Sequence, residues 1–371
     1  MYYFDYCATT PTNPDILSYF NKINKEQWLN PNSNYSLAKK GANLINDTSK
    51  SICDNLGLNN YEIIYTSGAT EANNLALKGY CLSHQEIGKH IISSPYEHSS
   101  IVATLASLQK EGFEISIVDT LENGKIDIES LKELIRDDTI LVSFTAVSSE
   151  IGIINDLDSI SKELVNYPNC KFHVDFTQML GKQKFDFSNV DMFSFSGHKI
   201  YGIKGIGALA IKKNIKLQPI INGGKSTTVF RAGTPSIELI ASLGKAIELS
   251  YSNMDSHQKE INEKSKYLKN KLTNISDRII INTPDDGLNS VINMSILNLS
   301  SSYIQQFLDE NDIMVSTQTA CSLSSDYSPT VLKLTGDMER AKSSIRVSIS
   351  HLTTYDEIDY FVQKIGEMLC I

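Results

Sequence analysis

No stretch of this 371-residue sequence carries the roughly 18 consecutive apolar residues that a spanning helix needs. That argues against a helical membrane protein. The first residues, Met1-Tyr2-Tyr3-Phe4-Asp5, lack the basic and apolar regions of a signal peptide. A cytoplasmic location is therefore expected, with no membrane partner. None of the six cysteines is spaced as CxxC, and no Cys/His group has zinc-finger spacing. No metal site is expected, and the thiols should be reduced. An excess of basic residues is also missing. Lys and Arg total 34 against 43 Asp and Glu, a net charge of −9. Bulk charge thus disfavours direct nucleic-acid binding. There are no internal repeats. Hydrophobic residues at 41% and charged residues at 21% match a globular average, which excludes disorder, a coiled coil and a collagen-like repeat.

What is present is alternation of strand and helix patterns. Tyr61–Thr66, His90–Ser93, Glu114–Val118, Thr139–Phe144, Lys171–Asp175, Asp191–Phe195 and Gly207–Ile211 read as strands. Helical stretches separate the earlier ones, from Glu71 to Lys78, Ile101 to Glu111 and Ile128 to Ile135. Apolar runs such as Thr139–Phe144 suit a parallel sheet covered on both faces. The expected class is α/β, with a mixed, mostly parallel sheet. After about residue 235 the pattern changes to one or two long helices, then short strands and helices of α+β texture. A boundary is expected near 250. The large domain should span 14–250, and residues 1–13 and 251–371 should form a smaller domain. The Ser/Thr-rich stretch 316–328 reads as its mobile loop.

Six motifs could carry chemistry. In Ser194-Phe195-Ser196-Gly197-His198-Lys199, a strand runs into a turn that ends in lysine. Alone, Lys199 reads more readily as a surface residue. An imine-forming lysine would nevertheless need this place: rigid, partly desolvated, at a strand end. Asp175 ends an apolar strand. It is either a cap or salt-bridge partner, or the partner of a protonated ring nitrogen. Thr66-Ser67-Gly68-Ala69-Thr70-Glu71 is a strand–turn–helix, whose free N–H groups suit an anion. Many α/β crossovers look the same. His98, after a strand and a Pro95 turn, is either structural or a proton carrier. Cys321 is the only cysteine in a polar, small-residue loop. It is either incidental or an accessible nucleophile. Arg346, inside an alternating strand, pairs with a carboxylate of the protein or of a substrate.

Two decoys fail. Gly223-Gly224-Lys225-Ser226 ends like a phosphate-binding loop, but Pro219 stands where its first glycine belongs. Gly202, Gly205 and Gly207 are spaced G-x-x-G-x-G and follow Lys199, so they are not a dinucleotide fingerprint.

Together and in this order, the motifs resemble the cysteine desulfurases of the NifS/IscS type, within the class V aminotransferases of PLP fold type I. Asp5–Pro11, Thr66–Glu71, Glu150–Gly152, His173–Gln178, Ser194–Lys199 with Tyr201-Gly202, and Arg231–Thr234 carry the resemblance, which reaches to Thr353–Ile358. It implies a transferase with pyridoxal 5′-phosphate (PLP) bound covalently to Lys199. Asp175 would face the ring nitrogen, Gln178 the phenolic oxygen, and His98 the ring. Ala69, Thr70, Ser196, Gly197 and His198 would cradle the phosphate, with Ser149 near cofactor and substrate. Thr234 would reach the phosphate of a second subunit, which implies a homodimer. Arg346 would hold the substrate carboxylate, with Asn30 nearby. Cys321 would take sulfur from L-cysteine as a persulfide, leaving L-alanine. The sulfur would pass to an acceptor protein, for iron–sulfur cluster assembly or tRNA thiolation.

The sequence departs from the family in places. Ser149 replaces an amide, Lys225–Phe230 lacks the usual Glu-Arg, and His351 stands where an arginine is common. It also stops at Ile371, where longer relatives continue with a tail that helps dock an iron–sulfur scaffold. Two other readings remain open at this level. One is a different PLP enzyme of the same fold, a small-amino-acid aminotransferase or a selenocysteine lyase. The other is a non-catalytic sulfur-relay or scaffold homologue.

Overall fold

The computed structural model describes residues 1–317 and 326–370. Twelve strands lie among them. They are β1 Tyr2–Tyr3, β2 Tyr61–Thr66, β3 His90–Ser93, β4 Glu114–Ile117, β5 Thr139–Thr145 and β6 Lys171–Asp175, followed by β7 Met192–Ser196, β8 Gly207–Lys212, β9 Ile279–Ile281, β10 Val291–Ile296, β11 Ile313–Met314 and β12 Ser344–Ser348. Seven of them form the main sheet, in the order β2-β8-β7-β6-β5-β3-β4. β8 runs antiparallel to both its neighbours, and the pairings from β7 to β4 are parallel. The expected class, α/β with a mixed and mostly parallel sheet, is the one observed.

The strands are apolar on both sides because both faces are covered. Ile63, Val142, Phe144, Val174 and Phe193 join one core with the helices Pro14–Glu26, Ser36–Leu56, Leu157–Leu164 and Ile237–Ser252. Ile64, Ile91, Leu141, Met192 and Leu209 join the other core, beneath Ala69–Asn74 and Ser99–Lys110. The helix after β2 starts at Ala69, two residues before the expected Glu71, and continues as a π-helical turn at Leu75–Gly79.

A third core is built from Phe4 and from residues of the C-terminal third, among them Ile261, Ile292, Ile345 and Phe361. It surrounds a three-stranded antiparallel sheet, β12-β10-β9. The long helical region reads as two helices, Ile237–Ser252 and Met254–Thr273. The N-terminal strand β1 pairs with β11, so the chain's start is stitched to this second unit. No helix of the described residues is long and apolar enough to cross a membrane.

Candidate active site

β2, β5, β6 and β7 point the same way, so Thr66, Thr145, Asp175 and Ser196 all end at one edge of the sheet. Ligands of open α/β sheets bind at this carboxyl edge. A cavity of about 600 Å³ opens there. The turn after β2 lies tight against β8. A Cβ on Gly207 would sit 2.7 Å from the Gly68 Cα and 2.5 Å from the Phe195 carbonyl, so only glycine fits.

Lys199 follows β7 on a single 3₁₀ turn, Gly197–Lys199. Its Nζ donates to the carbonyls of Cys7 and Ala8, the latter at 2.9 Å. The N-terminal segment is laced to the same turn: Thr10 N–H donates to the His198 carbonyl at 2.9 Å, and Tyr201 N–H to Thr10 Oγ1 at 2.8 Å. Burial pulls the Lys199 amine down to about 8, and the charges of Arg346 and Lys182 act in the same direction. Near neutral pH this lysine is therefore an accessible nucleophile and base, unlike an exposed one.

Asp175 is buried, and each of its oxygens accepts one bond. Asn73 Nδ2 donates to Oδ2 at 2.8 Å and Thr177 N–H to Oδ1 at 3.0 Å. Asn73 Nδ2 also reaches Ser100 Oγ at 2.9 Å, and Ser100 Oγ lies 2.8 Å from His98 Nδ1. A chain of short contacts thus joins Asp175 to His98 through Asn73 and Ser100. His98 caps the helix Ser99–Lys110 by accepting the Ser100 N–H on Nδ1. That places the proton of the neutral ring on Nε2. Burial lowers the His98 pKa, against the pull of Asp175, so the neutral form prevails. Next to it, burial pushes the Glu97 carboxyl up to about 8; Ser94 and Thr145 hydrogen-bond one of its oxygens. Burial takes His198 down to about 4, so it is a neutral hydrogen-bonding group, with Nδ1 3.1 Å from Thr9 Oγ1.

Arg346, in β12, is 2% exposed. Its Nη2 donates to Asp5 Oδ1 at 2.7 Å and to Ser316 Oγ at 3.1 Å, and its Nη1 to the Ser149 carbonyl at 3.0 Å. Nε lacks a partner. A protein carboxylate thus holds one end of the guanidinium, while an unpaired donor remains on a residue that lines the cavity. Removing one partner of so buried a pair leaves an uncompensated charge. Arg346→Leu should cost about 3 kcal/mol in urea unfolding, and Asp5→Leu/Arg346→Leu less than the sum of the single changes.

The cavity brings together Ala69, Thr70, His98, Ser149, Asp175, Gln178, Ser196, His198, Lys199 and Arg346. Three expected residues are not in its lining. Asn30 is exposed, and its Oδ1 accepts the Asn32 N–H at 3.0 Å, capping its own turn. Thr234 is exposed in the loop before the helix Ile237–Ser252. Gly197 is buried, with 3.2–3.3 Å between a Cβ built there and Leu243 or Ile206, so it serves the packing of the turn. Cys321 lies outside the described residues. Asn73, Ser100, Glu97, Asp5 and Lys182 were missed, because each acts through a contact that sequence spacing does not encode. A polar Asn73 on an otherwise apolar buried helix face was the one available signal.

The donor set fits PLP. The amine of Lys199 is close to neutrality, Asp175 is held at the end of β6 with acceptor capacity to spare, and the first-turn N–H groups at Ala69 and Thr70 have no intrahelical acceptor. Thr177 Oγ1 and Arg346 Nε line the cavity as buried polar atoms without partners. Such atoms are rare unless something pairs with them.

Comparison with known proteins gives one consistent picture. The family model described as aminotransferase class-V matches residues 2–361. A NifS/IcsS protein homolog of Lactobacillus delbrueckii subsp. bulgaricus is 35% identical over 99% of this chain and 97% of its own. A cysteine desulfurase IscS of Clostridium botulinum is 37% identical over 99% of this chain and 94% of its own. Among solved structures, a NifS-like protein superposes with a TM-score of 0.93 at 29% identity, covering 99% of both chains. SspA in complex with cysteine gives 0.83 at 29% identity, over 95% of this chain and 100% of that one.

Proposed function

The chain belongs to the class-V aminotransferase family, and from that premise we infer that it is a cysteine desulfurase, converting L-cysteine to L-alanine and handing the sulfur to one of its own thiols. The observation that carries this reading is Lys199, desolvated and parked on two backbone carbonyls in one cavity with Asp175, His98 and Arg346. Full-length relatives that are themselves named cysteine desulfurase support it. A transaminase or selenocysteine lyase reading has no observation of its own in its favour.

PLP would be held by Lys199, with Asp175 at the ring nitrogen, Gln178 at the phenolic oxygen and His98 against the ring. Ala69, Thr70, Ser196 and His198 would hold its phosphate, and Thr234 the phosphate of a partner subunit in a homodimer. When bound, PLP supplies an electron sink for a carbanion next to the substrate nitrogen. The residues of the chain do the rest. Arg346 offers its free Nε–H to the substrate carboxylate and orients Cα. Lys199, with its amine free, takes the α-proton and returns it to Cα as the product forms. Neutral His98, with its proton on Nε2, can give that proton to Cβ and regain one from the Cys321 thiol. Cys321 attacks the substrate sulfur: the Cβ–S bond breaks, an S–S bond forms, and Cβ gains a proton. The products are alanine and a Cys321 persulfide. The next acceptor is a protein, of iron–sulfur assembly or of tRNA thiolation.

Purified protein given L-cysteine should form alanine and protein-bound or released sulfur in equal amounts. Alanine without sulfur, or neither product from a PLP-loaded protein, would overturn the reading. Because Lys199 must be unprotonated to accept the α-proton, the rate should fall as pH drops through about 8 and level off above it. A pH–rate profile for alanine formation checks this.

A further inference from the structure

Behind Lys199 lies a second cavity, of about 320 Å³, between the main sheet's helices and the C-terminal unit. Lys199 and Cys7 line both cavities. Lys182 lines only the second. It sits in the turn after β6, and its Nζ donates to Gln178 Oε1 at 3.2 Å. That contact fixes which way the Gln178 amide points, because an ammonium can only donate. Gln178 Nε2 then donates to the Cys7 carbonyl at 3.0 Å, the same carbonyl that receives Lys199 Nζ. Two lysines are thus tied to one backbone oxygen, one directly and the other through an amide.

The charges around this pair are unbalanced. No carboxylate lines the second cavity. Among the described residues, neither lysine has a carboxylate partner within ion-pair distance. The nearby groups are few. On the N-terminal segment, Asp5 is spent on Arg346, and the Cys7 side chain lies near both lysines and opposes their lowering. Arg346 on β12 adds another cation. On the remaining walls, burial keeps His98 and His198 neutral beside Lys199, and His257 and His351 neutral in the second cavity. Asp175 is already bonded to Asn73 and Thr177. Lys204 lines the first cavity and acts on His198.

We propose that Lys182 is a positioning residue for Lys199: its ammonium orients Gln178 toward the Cys7 carbonyl and, by its charge, keeps the Lys199 amine in the unprotonated form that can take a proton from the substrate. This rests on the desulfurase reading for its purpose but not for its test. Two like charges held in a site that water reaches poorly cannot both persist cheaply. Burial and Arg346 lower the proton affinity of Lys182 as well, and Lys199, which also lines the first cavity, is lowered further by the charge of Lys182, so a proton kept on Lys182 is one kept off Lys199.

The test is the pH dependence of acetylation of Lys199 in the full-length protein, after hydroxylamine and dialysis remove any bound aldehyde. Acetic anhydride is the probe, peptide mass spectrometry the readout, and exposed Lys110 the internal reference. Lys182→Gln keeps a donor to Gln178 and loses the charge; Lys182→Met loses both; Lys182→Arg keeps the charge. The midpoint for Lys199 should rise by about one pH unit in the Gln and Met variants and stay put in Arg. Labelling near pH 7 should then slow by up to about tenfold. An unchanged midpoint in both Gln and Met variants that melt like wild type overturns the proposal. A shift in Met but not in Gln overturns the role of charge. In the loaded enzyme, the acid limb of the rate profile should move by the same amount. The labelling needs no turnover, so a chain that makes no alanine but shows the shift would overturn the desulfurase reading and leave this inference standing.

Discussion

Lys199→Met is expected to fold, to lose the covalent attachment of PLP, and to form alanine at least about 10³-fold more slowly than the wild type. Methionine nearly matches the lysine stem in length and leaves no amine. On the proposed reading two functions go with that amine, the attachment of the cofactor and the abstraction of the α-proton. Absorbance after borohydride reduction, with peptide mapping to residues 194–206, reads the first function; alanine formation reads the second. A stability measurement separates this from simple damage. The folded-state pKa of Lys199 is depressed from 10.5 to about 8 by burial, so the unfolded chain binds the proton more tightly. Folding therefore bears a penalty below about pH 8 that fades as pH rises towards 10.5. Freed of this penalty, cofactor-free Lys199→Met should melt higher than the cofactor-free wild type at pH 7, and the gap should close by about pH 10. A variant that melts lower at every pH would instead mean that the donor bonds to Cys7 and Ala8 outweigh the buried charge.

Cys321→Ser should keep the cofactor and its absorbance but form alanine at least about 100-fold more slowly, with no persulfide on any thiol. A hydroxyl is a far poorer nucleophile toward sulfur at neutral pH than a thiol with even a few per cent thiolate. The argument gains from the other cysteines. Cys81 and Cys170 are buried, and burial raises both their pKa values, Cys170 to about 12. They are poor nucleophiles. Cys53 and Cys370 line neither cavity, which leaves Cys7, a buried thiol in the wall of the cavity, as the rival among the described cysteines. Cys7→Ala should therefore retain persulfide formation. A persulfide mapped to Cys7 in the wild type would move the proposed sulfur-accepting role from Cys321 to the cavity wall.

Much of the site was legible because its parts are strand ends. A strand ending in aspartate, a strand running into Ser-Gly-His-Lys and a strand–turn–helix with small residues are local patterns, and parallel pairing brings all three to one edge. The reading failed where local pattern is silent. The helices Pro14–Glu26 and Ser36–Leu56 carried ordinary signals, Asn13 before Pro14 and Gly57 in the left-handed conformation after Leu56, which a search for strands passes over. The family resemblance implies Asn30 near the substrate. Its side chain is instead used by its own turn.

The sequence by itself determined the chemistry on offer. One lysine follows a buried strand, one aspartate ends another, one histidine caps a helix, and one cysteine sits among small polar residues. These are local facts of periodicity, capping and residue type. Only the tertiary structure decided how that chemistry is tuned. Arg346 meets Asp5 across 341 positions of chain, and Lys199 meets the Cys7 carbonyl across 192. Asn73 reaches Asp175, and Lys182 orients Gln178. Each of these contacts depends on how the N-terminal segment and the C-terminal unit close over the sheet. Burial and charge, which set a lysine's proton affinity, are properties of that closure and not of any stretch of sequence.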